Sequence, residues 1–155
     1  MIEPVAWQRG EYAISTDPAR LDLDVIHAFL RGAYWAGEHL PRSVVDRAVE
    51  HSLNFGLYRG DAQIGGARVI TDYATFAYVA DVFVLEEHRG YKLGVWLMEC
   101  VAEHPDLQGL RRWMLGTRDA HALYEKTGWT RVATDDGRWM EKADPDVYRR
   151  MAGAD

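Results

Sequence analysis

Cysteine is almost absent from this 155-residue chain: Cys100 stands alone, so no disulfide can form within one molecule and stability must come from a packed core. Cys100 falls inside an apolar helical pattern, which predicts an inert core thiol and not a nucleophile. Positive charge is also scarce, with 18 Lys and Arg against 24 Asp and Glu and a net charge of −6. Without a basic stripe, nucleic acid and anionic membrane are disfavoured as general partners; the acidic balance is compatible with a cationic amine, and solubility alone explains it as well. Long apolar runs are missing too, and no stretch approaches the ~20 residues that a bilayer span needs. The opening Met1-Ile2-Glu3-Pro4 has no basic segment leading into an apolar run, so it does not read as a secretory leader. No repeat, low-complexity tract or Pro/Gly/Ser linker divides the chain. These absences predict one cytoplasmic domain over residues 1–155. The six histidines show no paired ligand spacing, and no metal is expected.

What is present argues for a substantial core: 48% of residues are hydrophobic, with six Trp and eight Tyr spread along the chain. A short strand is predicted over residues 12–16, ending at the Asp17-Pro18 turn. Leu23, Ile26, His27 and Leu30 recur at helical spacing, with Asp22 or Asp24 as cap. A loop over 32–41 precedes a second helix, capped by Ser43 and running to about His51. Strands over 54–58 and 63–71 flank the turn Arg59-Gly60-Asp61. Residues 75–85 form an almost unbroken apolar run, as expected of a central strand covered on both faces, and Asp81 is its one interior charge. Leu93, Trp96, Leu97, Cys100 and Val101 then describe an amphipathic helix that stops at Pro105. A strand over 112–117, a short helix over 120–126 closed by Gly128, and two short strands over 129–133 and 139–141 complete the pattern. This order predicts a mixed α/β sheet with helices on both faces and not a run of uniform βα repeats.

The junction between the central strand and its helix carries the chemistry. A buried strand runs into the turn Arg89-Gly90-Tyr91-Lys92-Leu93-Gly94, and a helix begins at once. Free backbone N–H groups at the positive end of a helix dipole suit a pyrophosphate, glycines let the backbone come close, and Arg89 and Lys92 add charge. By itself the turn reads either as an anion site or as ordinary chain reversal. A dinucleotide fold needs three spaced glycines and a distant acid, and a phosphate loop of the nucleotide triphosphatases needs Gly-Lys-Ser/Thr; neither is present.

Residues 89–94 resemble the coenzyme A motif Gln/Arg-x-x-Gly-x-Gly/Ala of the GNAT family of N-acetyltransferases, with Lys92 where the middle glycine usually sits. If that position has positive φ, Lys92 costs about 1 kcal/mol or more relative to glycine. A second segment, 117–129, resembles the family's later motif Asn-x-x-Ala-x-x-x-Tyr-x-x-x-Gly-Phe. Ala120, Tyr124 and Gly128 are in register, Thr117 replaces Asn, and Trp129 replaces Phe. The resemblance implies an α/β fold with a mixed, mostly antiparallel sheet, and acetyl-CoA as acetyl donor to a primary amine. It places Val82, Phe83 and Val84 beside the pantetheine arm, where a strand and its neighbour splay apart, with a strand N–H near Phe83 or Val84 facing the thioester oxygen. Residues Arg89, Gly90, Tyr91, Lys92, Leu93, Gly94 and Val95 would hold the pyrophosphate, with Thr117 and Ala120 completing the coenzyme set.

The resemblance gives Tyr124 the role of protonating the departing thiolate, a near-balanced transfer between a thiol of pKa about 8.5 and a phenol of about 10. Its alternative is a ring packed on the sheet. Asp81 either binds and deprotonates the amine or serves structure, because a carboxylate in so apolar a strand must be paired, capping or facing a cavity. Tyr34, Trp35 and His39 lie in the loop that walls the acceptor site in this family, where aromatics can attract an amine; core anchoring is the other reading. Glu86, Glu87 and His121 read as surface residues. Direct attack in a ternary complex follows from the lack of a convincing nucleophile. The rival expectation is a non-catalytic CoA-binding or regulatory module of the same fold, for which Lys92 is the main support. Homodimers are frequent in the family, and the acceptor is left open.

Overall fold

The computed structural model of the chain describes residues 2–33, 39–132 and 137–153. Strands β1 (Ala6–Arg9) and β2 (Tyr12–Ser15) are followed by helices α1 (Leu23–Arg31) and α2 (Arg42–Glu50). Then come β3 (Leu53–Arg59), β4 (Ala62–Thr71), β5 (Phe76–Val84), α3 (Leu93–Glu103), β6 (Arg112–Leu115), α4 (His121–Glu125) and α5 (Val147–Gly153). The six strands form one sheet in chain order. Each neighbouring pair is antiparallel except the last, β5 with β6, which is parallel.

Strand alternation explains the layers. Leu53, Phe55 and Leu57 of β3 project to one face, where they meet Val69, Val79 and the buried side of α3. On the other face a smaller cluster joins Ile26 and Leu30 of α1 to Leu40, Val45 and Phe83. The helices therefore cover both faces, as expected. Cys100 is 1% exposed in the first cluster, and burial pushes its thiol up to about 12, so it is the inert thiol expected of its pattern.

Local signals account for most boundaries. Asp22 caps α1, its Oδ1 accepting from the amides of Asp24 and Val25 at 3.1 and 3.2 Å. Gly128 follows α4 with φ +93°. Ser43 does not cap α2; the helix starts two residues earlier than expected, at Arg42 directly after Pro41, and Ser43 sits in its first turn. The two late strands are not formed in the described residues of 129–132 and 137–142. There the aromatics act through side chains instead of a ladder: Trp129 packs edge-on against Trp113 and Tyr124, Arg112 lies over the Trp139 ring, and Met140 is 95% exposed. The sequence pattern also missed β1 and α5. Both are largely exposed, so neither shows a strong apolar period.

One irregularity shapes the site. Ala80 pairs with Arg68 and Phe83 with Gly66, so Asp81 and Val82 together oppose Ala67 alone. This is a β-bulge, with Asp81 in a left-handed conformation at φ +55°. The extra residue reverses the alternation. Ala77 and Val79 face α3 before it, and Val82 and Val84 do so after it, leaving Phe83 to turn toward α1.

Candidate active site

The parallel ladder ends at Val79 and Leu115. Beyond it β5 stays paired with β4, but among the described residues no strand lies on its other side, and a groove of about 1100 Å³ opens between the diverging chains. Leu85 N donates to Ile64 O on β4 at 2.8 Å. By strand alternation the backbones of Val84 and Val82 then face the open side. Arg89 Nε donates to Val84 O at 2.9 Å from that side. The Val82 and Val84 amides are thus strand donors along the groove wall.

At one end of the groove stands the start of α3. Gly90 has φ +91°, and Lys92, the residue before the helix, has φ +58° and ψ 25°. Lys92 thus occupies the left-handed conformation that glycine adopts freely, and the turn keeps its shape at a cost of roughly 1–2 kcal/mol. No side chain caps α3, so its first amides remain available to an anion. Arg89, Gly90, Lys92, Leu93, Gly94 and Val95 all line the groove. Tyr91 does not: its side chain is 62% exposed and its ring lies 6.5 Å from that of Tyr12.

Opposite the strand, α4 brings Tyr124 to the groove, 9% exposed and packed against the main core. Burial raises its phenol pKa, so the proton stays on at neutral and moderately alkaline pH. Thr117 Oγ1 accepts from Ala120 N at 3.0 Å, a bond that ties down the entry to α4. That bond gives Thr a physical reason to replace Asn at this position, since either side chain can accept it.

At the other end, on the α1 side of the sheet, Asp81 meets Arg68. Arg68 Nε donates to Asp81 Oδ2 at 2.7 Å, and the side chains are 16% and 10% exposed. Phe29 of α1 stacks on Phe83 with centroids 4.4 Å apart, and Tyr78 lines the same end. Asp81 is thus both ion-paired and open to a cavity. His39 is exposed and away from the groove lining, and Tyr34 and Trp35 lie outside the described residues. Glu86 and Glu87 do not line the groove, while His121 faces a separate hollow of about 280 Å³ against β6. Arg68, Phe29 and Tyr78 were missed by sequence reasoning. Arg68 carried the same signal as Asp81, a lone charge in an apolar strand; Phe29 was indistinguishable from a core residue.

Three comparisons bear on this geometry. The family model for an acetyltransferase (GNAT) domain matches residues 50–131. A candidate acetyltransferase of Gibberella zeae is 39% identical over 147 residues, covering 80% of this chain and 81% of its own length. The crystal structure of a GNAT-family candidate acetyltransferase from Xanthomonas campestris pv. campestris superposes with a TM-score of 0.82 at 46% identity, covering 88% of this chain and 96% of that one. A more distant fold relative, a candidate acetyltransferase from Clostridium acetobutylicum solved with acetyl-CoA, gives a TM-score of 0.59 at 12% identity over 85% of this chain and 94% of that one.

Proposed function

Because the chain belongs to the GNAT family of acetyltransferases, we propose that it transfers the acetyl group of acetyl-CoA directly to a primary amine. The observation that carries this reading is the divergence of β5 from β6 beyond Val79 and Leu115, directly beside the uncapped start of α3. A pantetheine arm needs a slot with strand donors, and a pyrophosphate needs amides at a helix start. The groove offers both in line, with Tyr124 on the opposite wall. The Clostridium acetobutylicum structure with acetyl-CoA bound supports the same donor here.

Acetyl-CoA supplies an activated thioester. In the proposed reaction the amine nitrogen forms a bond to the carbonyl carbon while the carbon–sulfur bond breaks. The strand amide of Val84 or Val82 donates to the developing oxyanion, as one fixed dipole in a partly dehydrated site. Tyr124 gives its phenolic proton to the leaving sulfur, and Asp81 takes the proton that the amine sheds. The products are an amide, CoA thiol and a protein regenerated by proton exchange with water. With no nucleophile required of the protein, the buried Cys100 has no part.

Thermal shift and thiol release test the reading together. Acetyl-CoA is expected to raise the melting temperature and an amine panel to release CoA thiol. No rise at acetyl-CoA concentrations far above a plausible Kd would refute the donor assignment. Binding with no transfer to any amine or peptide would instead favour the non-catalytic module.

A further inference from the structure

We infer that the acceptor is an α-amino acid, bound as a zwitterion against the Arg68–Asp81 pair and carrying an apolar side chain. The inference rests on the acetyl-transfer reading and names its substrate class.

The pair is built in an unusual way for a purely structural ion pair. Arg68 approaches side-on, with Nε on Asp81 Oδ2 at 2.7 Å, and its Nη1 reaches Ser52 Oγ at 3.2 Å. A two-pronged guanidinium–carboxylate pair would use both oxygens. Here Arg68 Nη2 and Asp81 Oδ1 make no further hydrogen bond among the described residues. Both side chains line the groove. One donor and one acceptor, of opposite charge and adjacent, are therefore left for a ligand.

An α-amino acid holds its ammonium and carboxylate on one carbon. Set head-to-tail against the pair, its ammonium meets Asp81 Oδ1 and its carboxylate meets Arg68 Nη2. No net charge is then taken from water, which removes the main penalty of burying ions. A simple amine would leave the Arg68 donor unmatched. A polyamine or aminoglycoside would set further cations beside Arg68. The stacked Phe29–Phe83 rings border the same end and offer an apolar surface to the substrate side chain. Before attack the ammonium sheds one proton through Asp81 to water; as the nitrogen lone pair bonds the carbonyl carbon and the carbon–sulfur bond breaks, Asp81 takes the second nitrogen proton and Tyr124 protonates the sulfur.

The experiment measures CoA-thiol release by the full chain with the twenty amino acids, the matching decarboxylated amines, the amino acid amides and spermidine. Acetyl-CoA binding is followed separately by calorimetry. An apolar amino acid is expected to exceed its decarboxylated amine in kcat/KM by at least about tenfold. Arg68→Gln is expected to bring that ratio toward one, chiefly through KM for the amino acid, and Arg68→Lys to restore it in part. If Arg68→Gln does not fold, the wild-type ratios still decide. An amine or amide used as well as its amino acid, spermidine as best substrate, or acetyl-CoA binding without turnover of any amino acid would each overturn the inference and leave the donor assignment standing. Failure to bind acetyl-CoA would overturn both.

Discussion

Replacing Lys92 by glycine is expected to stabilise the ligand-free chain while weakening acetyl-CoA binding. Lys92 sits at φ +58° and ψ 25°, directly before α3, with its side chain exposed. A non-glycine residue pays about 1–2 kcal/mol for that conformation. Glycine's greater freedom in the unfolded chain offsets about 0.5–1 kcal/mol of the relief. The net gain, about 0–1.5 kcal/mol and centred on about 0.7, corresponds to about 2 °C in a domain of this size. The lost cation acts in the other direction on ligand affinity: a charged hydrogen bond to phosphate is worth about 1.5 kcal/mol at an exposed site, or roughly tenfold in Kd. Lys92→Ala separates the two effects, because alanine keeps the backbone strain and loses only the charge. Calorimetric melting of the three proteins, with titration of acetyl-CoA into each, gives both numbers. A glycine variant that melts no higher than the alanine variant would refute the backbone strain at Lys92.

Further outcomes follow from other parts of the structure. Tyr124→Phe keeps the buried ring and removes the proton donor, so kcat is expected to fall about 100-fold or more with acetyl-CoA affinity little changed; equal kcat values remove Tyr124 from the acid role. His104 is fully buried, its Nδ1 accepts from Asp106 N at 3.1 Å, and burial lowers its pKa below the usual 6.5. The unfolded chain therefore binds the proton first, so stability is complete above pH about 6.5 and declines below it, by at most about 1.4 kcal/mol per pH unit, until the folded pKa is passed. Melting from pH 8 to 5 is expected to show a shallower acid decline in His104→Asn, and parallel curves would discount the histidine. A Cβ at Gly65 would lie 2.5 Å from Phe83 O. Gly65→Ala is accordingly expected to cost about 1–3 kcal/mol in urea unfolding by pushing β5 away from β4, and an unchanged midpoint would show that the strands give way freely.

Sequence periodicity carried most of the fold. The central apolar run, the helix from Leu93 and the Asp22 cap are local features, set by side chains a few residues apart, and each appears where its pattern predicts. The strand, turn and helix start around residues 89–94 were legible for the same reason, since they follow one another in contiguous backbone. The late strands were misread because residues 129–132 and 139–141 have strand-like composition, yet a strand exists only where another chain segment pairs with it.

The Arg68–Asp81 end of the groove was not legible. Nothing near Asp81 in sequence reveals that Arg68, 13 residues away, is its partner, nor that a bulge turns Asp81 and Phe83 toward α1. Those facts depend on register between β4 and β5, and a one-residue change in register reverses which face every later side chain meets. The sequence by itself determined the central elements and the strand–turn–helix order around residues 89–94. Tertiary pairing alone decided where β5 and β6 part, which conformation Lys92 must hold, and which charge stands opposite Asp81.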